Sequence, residues 1–493
     1  MRAVTRRRFL EAGLATPLAA TTFATHAQGS APGEAAGKGG AMGERSSAKD
    51  VTGTLARYVI RARYEDLPEK VRKEGLRTLL NYVAVAVGGS GQENVRIAMK
   101  ALAPFAGPGQ ATILGRHERF DILNAAFING VSSHIFDYDD THLKTIIHPG
   151  GPVISAILAL AEYRPVAGKD FLNALVLGVE TCCRIGNAVY PNHYDVGWHI
   201  TGTAGVFGAA AAVGKLLALD EQRMAWALGL AASQPVGLRE SFGSMNKSFN
   251  PGRAAENGLF AALLAQDGYT SSNSMIEAKR GWANTVSTKQ DYREITDGLG
   301  ERYEAALNTY KPFACGIVEH PTIDAVIQLR NENHLTADQV DAIELKVNPL
   351  VLELTGKKTP QTGLEGKFSI YHCAAIALIH GAAGEKQFQD AVVCDPQVVA
   401  LRQKVSVAID PGIVPEKADV TIRLHDGRVL HKFIEHAIGS VENPMTDAQL
   451  EAKFRDLAEG ILSPAQTSRL IEACWTADRL DNAAAIAQFA VPG

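Results

Sequence analysis

The sequence predicts a mainly α protein, an Ala-rich helical domain interrupted by a smaller α+β domain. Three observations carry that reading. Small residues are abundant, with 46 Gly in 493 residues, while aromatics reach only 7%. Small side chains let helix axes approach closely, whereas strands favour β-branched and aromatic residues. Apolar residues recur at helical spacing through most of the chain up to about Glu301. Beyond it, short runs of period-two alternation appear.

Taken in order, the chain opens on a leader. Thr5-Arg6-Arg7-Arg8-Phe9-Leu10 fits a twin-arginine export signal, followed by a weakly apolar stretch over residues 13–24. Thr25-His26-Ala27 then places small residues at the cleavage site, so residues 1–27 read as a signal peptide and the mature protein as periplasmic. That route carries prefolded proteins, so export does not demand a disulfide framework. Residues 28–50, rich in Gly, Ala and Ser, read as a flexible linker. The helical domain is expected over 51–304. Asp66-Leu67-Pro68-Glu69 starts a helix whose apolar positions include Val71, Leu76, Leu79 and Val83. Further helices are expected at 122–137, 153–163, 171–189, 203–219, 221–232 and 254–266. The α/β insertion is expected over 305–442. There Thr336 and Gln339 spell a capping-box helix start, and Ile343, Leu345 and Val347 alternate as a strand. A second strand is expected at 405–409, and a hairpin joins 420–424 to 429–433 across His425-Asp426-Gly427-Arg428. Helices return over 443–493, starting at Thr446 and again at Ser463-Pro464.

Charge and cysteine usage narrow the function classes. Lys and Arg number 49 against 53 Asp and Glu, a net charge of -4, which lacks the basic footprint of a nucleic-acid binder. Loss of the leader removes four Arg and one Glu and takes the charge to -7. No stretch of ~20 uninterrupted apolar residues occurs, so no membrane anchor is expected after cleavage. Cys182, Cys183, Cys315, Cys373, Cys394 and Cys474 form no CxxC pair. The local spacings of zinc and iron–sulfur sites are therefore missing, and buried free thiols are expected.

Several familiar motifs fail. Gly88-Gly89-Ser90-Gly91-Gln92 lacks the last Gly of a nucleophile elbow, and Gly366-Lys367-Phe368-Ser369 lacks the spacing of a phosphate loop. No HExxH, calcium-loop or dinucleotide fingerprint is found, which leaves an enzyme working with side chains alone.

Four polar clusters remain. The densest runs from His134 through Asp137, Asp139, Asp140, Thr141 and His142 to His148-Pro149, between two apolar helices. A carboxylate beside an imidazole sets a general acid or base near neutral pH, although Asp and His also suit helix ends and could hold a metal. The second, Gly197-Trp198-His199-Ile200-Thr201-Gly202-Thr203, enters a helix and reads as an anion seat or a capped helix. The third places Lys247 and Arg253 directly before another helix, suited to a carboxylate. The fourth is Tyr310-Lys311-Pro312-Phe313-Ala314-Cys315 with His320-Pro321.

In this order the four clusters resemble the MmgE/PrpD family, with Lys367-Phe368-Ser369 and Asn443-Pro444-Met445-Thr446 adding to the match. The resemblance covers residues 54–458. It implies a homodimer of two-domain chains, a helical domain and a smaller α/β lid, with a metal-free and cofactor-free site between them. It implies a small di- or tricarboxylic acid as substrate. It puts Asp137, Thr141, His148, His199, Lys247 and Lys311 on active-site positions. In that division Lys247, Lys311 and Thr141 grip carboxylates, His148 moves a proton, Asp137 tunes it and His199 faces the substrate. Arg253 and His372 are added as substrate-binding residues. Asn250 and His372 depart from the family pattern, at positions expected to line the pocket. The function expected is a cofactor-independent lyase resembling 2-methylcitrate dehydratase. An epimerase sharing the first proton abstraction and a periplasmic carboxylate-binding protein stand as alternatives.

Overall fold

The computed structural model describes residues 49–493; the leader and nearly all of the linker lie outside the described residues. The chain starts with α1 (Val51–Arg61), α2 (Glu69–Gly89) and α3 (Glu93–Leu102). A small antiparallel pair follows, β1 (Ala111–Thr112) with β2 (Arg119–Phe120). The centre is then laid down by α4 (Ile122–His134), the short strand β3 (Asp140–His142), α5 (Gly150–Tyr163) and α6 (Gly168–Val189). The short α7 (Asn192–Asp195) leads to α8 (Ile200–Leu216), α9 (Glu221–Ala232) and α10 (Asn246–Gln266). α10 packs on α4, α5, α8 and α9, and α8 packs on α5 and α6.

Small residues set these contacts. A side chain at Gly252 would come within 2.6 Å of the Phe127 carbonyl oxygen, and one at Gly130 within 2.7 Å of Gly252 Cα. The two glycines therefore let α4 and α10 cross backbone to backbone. That crossing brings His134, which ends α4, towards the first turn of α10.

α10 starts earlier than its sequence suggests. Pro251 argues for a start after it, yet the helix runs through Pro251 from Asn246. One intrahelical bond is lost there, and burial of Lys247, Ser248 and Asn250 holds the extra turn in place. Lys247 and Arg253 are thus inside the helix rather than before it. At the other end of the crossing, α4 stops at His134 instead of Asp137, because the chain turns and Asp137 takes a left-handed φ of 51°.

After α11 (Trp282–Val286) and α12 (Arg293–Thr296), β4 (Asn308–Tyr310) pairs antiparallel with β3. Asp140 sits opposite Tyr310, and His142 opposite Asn308. This ladder joins segments about 170 residues apart in sequence and places Lys311 beside the Asp137 turn.

The α/β part comprises α13 (His320–Asn333), β5 (Val340–Val347), α14 (Pro349–Thr355), α15 (Gly363–Gly366), α16 (Ile370–His380), α17 (Asp390–Val393) and α18 (Pro396–Arg402). It ends with β6 (Val405–Ile409), β7 (Ala418–Leu424) and β8 (Val429–Ile434). The sheet order is β6-β5-β7-β8, with β5 parallel to β6 and the other neighbours antiparallel. α13 packs against β7 and β8, and α16 packs against α13. The Thr336–Gln339 capping box forms, but it caps a single 3-10 turn that runs straight into β5. The alternation that starts at Val340 leaves no room for a longer helix.

The chain returns through α19 (Asp447–Ala458), α20 (Pro464–Trp475) and α21 (Ala484–Phe489). Capping boxes at Thr446 and Ser463 start the first two, and α19 packs on α2. Among the described residues no helix is long and apolar enough to cross a membrane. Cys182, Cys183, Cys315, Cys373 and Cys474 are buried free thiols, as expected, and Cys394 is exposed.

Candidate active site

Asp137, His148, His199, Lys247 and Lys311 line one cavity, together with Ile146, Tyr194, Phe242, Ile317, Thr355 and Phe368. The helical part supplies four of the polar groups, and the β3–β4 ladder delivers the fifth.

Asp137 is a bridge. Its Oδ1 lies 2.7 Å from Lys247 Nζ and 2.6 Å from Lys311 Nζ. Burial opposes ionisation, but the two ammonium groups win and hold its carboxyl well below the usual range. Lys311 is saturated, since Nζ also donates to the carbonyls of Asp137 at 3.0 Å and Cys315 at 3.1 Å. Lys247 touches Asp137 and otherwise faces the cavity, with the Phe242 and Phe368 rings 5.2 and 5.3 Å away. Burial pulls its ammonium below the ordinary lysine range. Two lysines against one carboxylate leave a local positive excess. Asp137 was expected to tune His148; the structure places it on the lysines instead.

The partners of His148 are Asp139, Asp140 and Thr141. Its Nδ1 is 2.8 Å from the Asp140 carbonyl oxygen, 3.2 Å from Thr141 Oγ1 and 3.4 Å from Asp139 Oδ1. A carbonyl oxygen can only accept, so Nδ1 carries the proton and Nε2 keeps its lone pair. Burial holds the imidazole well below its ordinary pKa, so it is neutral at pH 7. The backbone N–H of His148 donates to Thr201 Oγ1 at 3.1 Å, which seats the residue on the first turn of α8. Thr141 therefore positions His148 from behind; it is fully buried and outside the cavity lining.

His199 is the N-cap residue of α8 and lies 2.9 Å, Nδ1 to Nδ2, from Asn250. In that amide orientation Asn250 donates, Nδ1 accepts, and the ring proton is on Nε2. Burial again keeps the ring neutral. The His134 ring stands near both, with centroids 4.8 Å from His148 and 5.7 Å from His199. The site thus offers one imidazole with a free lone pair and one with a free N–H, the two halves of acid–base chemistry.

Two expected residues do not reach the cavity. Arg253 is partly exposed and pairs with Glu256 on the next turn of α10, 2.5 Å away. His372 points its Nε2 at the Gln387 carbonyl oxygen, 3.2 Å away, and its ring edge-on to Phe388. Neither Asn250 nor His372 lines the cavity; Asn250 reaches it through His199, while His372 packs on Gln387 and Phe388.

Sequence reasoning gave His134, Asp139 and Asp140 no role of their own and missed Lys453. His134 Nδ1 meets Asp139 Oδ2 at 2.6 Å, and Asp140 Oδ2 accepts from Gly150 N–H and Asn308 Nδ2. Burial pushes the Asp139 carboxyl up and that of Asp140 up to about 7. Lys453, on α19, donates to Asn81 Oδ1 and to the carbonyls of Tyr138 and Lys311. It ties the returning helix to both lips of the site, and nothing local in its sequence marks it. Among the described residues, two groups of side chains are close enough to share a metal ion, His134 with Asp139 and His148, and Cys315 with Glu319 and Cys373. In the first, His134 Nδ1 pairs with Asp139 Oδ2, while His134 Nε2 and Asp139 Oδ1 are buried without a hydrogen-bond partner.

This architecture belongs to a known family. The MmgE/PrpD N-terminal domain matches residues 53–295 and the MmgE/PrpD C-terminal domain residues 313–477, so the chain is a member of the MmgE/PrpD family. Among its curated relatives is the cis-aconitate decarboxylase-like protein oryM of Aspergillus oryzae, 27% identical over 85% of this chain and 93% of that protein. The cis-aconitate decarboxylase of Homo sapiens is 26% identical over 84% of this chain and 89% of its own length. The 2-methylcitrate dehydratase of Cupriavidus necator is 22% identical over 76% and 83%.

Proposed function

We propose that this chain is a lyase. It would remove water or CO2 from a small di- or tricarboxylic acid by proton transfer at the carbon beside a carboxylate, with side chains alone. The observation that carries the reading is the pair of neutral imidazoles of opposite tautomer, His148 and His199, in a cavity with a lysine excess. Decarboxylases and dehydratases among the relatives point to the same class.

Lys247 receives a substrate carboxylate as a charge-assisted hydrogen bond, while Lys311 and Asp137 fix its place. His148 Nε2 takes the proton beside that carboxylate. In a dehydration His199 then gives its Nε2 proton to the departing hydroxyl, which leaves as water. In a decarboxylation no proton is removed first: the electron pair released with CO2 stays on carbon, and His199 protonates it. Epimerisation is the second reading, favoured by the same pair: His148 removes the proton and His199 returns one to the opposite face. Export to the periplasm and a homodimer complete the proposal.

The test is turnover of citrate-, aconitate- and aspartate-like acids followed by mass spectrometry. Loss of water or CO2 is expected. Saturable binding with no change in any acid would leave a carboxylate-binding protein.

A further inference from the structure

Behind the cavity, Cys315, Glu319 and Cys373 bring two thiol sulfurs and a carboxylate oxygen within 4.8 Å of one another, all three buried. The proposed chemistry uses none of them. Cys315 and Glu319 flank the segment that follows Lys311, and Cys373 sits in the first turns of α16. Both carboxylate oxygens of Glu319 are buried without a hydrogen-bond partner, and so are both ring nitrogens of His320. Buried polar atoms are nearly always paired, and an uncompensated buried carboxylate costs several kcal/mol.

Two sulfurs and an oxygen are the donor set of a thiophilic d10 cation. Donors around a tetrahedral zinc stand roughly 3.5–3.8 Å apart, given Zn–S and Zn–O distances of ~2.3 and ~2.0 Å. The three groups therefore need to close in by about an ångström at most. We propose that Cys315, Cys373 and Glu319 form a zinc site. Binding sends the two thiol protons, and the proton of the carboxyl group, to solvent. The ion clips α16 to a segment whose Gly316, Ile317 and Val318 line the cavity, so its role is to hold a cavity wall rather than to touch substrate.

The experiment uses the full chain carrying Cys394→Ser, which removes the exposed thiol. It is loaded with zinc, dialysed, and read by metal analysis and zinc X-ray absorption. One zinc per chain is expected, with two sulfur scatterers at ~2.3 Å. Cadmium in place of zinc should give a thiolate charge-transfer band, and adding Cys373→Ser should weaken cadmium binding at least tenfold. No retained zinc would overturn the proposal. So would a shell of nitrogen and oxygen alone, which would put the ion on His134, Asp139 and His148. A cadmium band unchanged by Cys373→Ser, or a Cys315–Cys373 disulfide in peptide maps, would also overturn it. The absorption reading stands whether or not Cys373→Ser folds. Metal content is independent of turnover, so failure here leaves the lyase reading untouched.

Discussion

Lys247 Nζ and Lys311 Nζ share one carboxylate oxygen of Asp137, and all three side chains are buried. Removing that carboxylate leaves two buried cations facing each other, so Asp137→Asn is expected to cost about 3–5 kcal/mol of stability in urea unfolding. Lys247 has donors free towards the cavity, and Lys247→Ala is expected to raise KM about 10- to 100-fold, the worth of a charge-assisted hydrogen bond. A fall in kcat with KM unchanged would instead make Lys247 part of the proton-transfer step. Asp140 supplies a pH test. Its carboxyl is pushed up to about 7, against an unfolded value near 3.8, so its contribution to stability is complete below ~4 and is lost as pH rises to about 7. Asp140→Asn keeps an acceptor for Gly150 and Asn308 and removes that titration. The stability of the variant relative to the natural chain should therefore climb by ~1.4 kcal/mol per pH unit between about pH 4 and 7, then level off. A flat difference would show that Asp140 is ionised throughout.

Two pieces of backbone geometry place these residues, the β3–β4 ladder and the α4–α10 crossing. The five residues lining the cavity fall in short polar runs between apolar helices, and it was the family resemblance that put them on active-site positions. What was not legible was their pairing. Asp137 shares a polar run with His148, but the left-handed turn at Asp137 sends its carboxylate to Lys311 across the ladder and leaves Asp139 and Asp140 with the imidazole. Lys453 reaches the site only because α19 folds back on α2, a contact that no local pattern announces. Arg253 was misjudged for a related reason: once α10 starts at Asn246, its turn faces Glu256 and not the cavity. The crossing can be tested directly. Gly252→Ala forces a methyl group against the Phe127 carbonyl, and a loss of about 1–3 kcal/mol is expected. Because the same shift moves Lys247, KM should rise too. Unchanged stability would mean that the helices can part at no cost.

At the scale of the whole chain, 49 cationic side chains against 53 acidic ones describe a mildly acidic protein, yet the cavity holds two lysines to one ionised aspartate. The average charge lacks the basic footprint of a nucleic-acid binder and conceals the local field that a polycarboxylate would meet. The alternation of apolar residues after Glu301 likewise disclosed the α/β part, though not that its loops would close one wall of the cavity. The measurement that bears most directly on the account is the product formed in D2O from the best acid of the panel, with the natural chain and with His148→Ala. The account predicts a product lacking water or CO2 and, where water is lost, a turnover that falls by roughly 100-fold or more in His148→Ala, the scale of a lost general base. Recovery of the starting acid intact but deuterated at a stereocentre would contradict the lyase assignment, and full turnover in His148→Ala would contradict the mechanism.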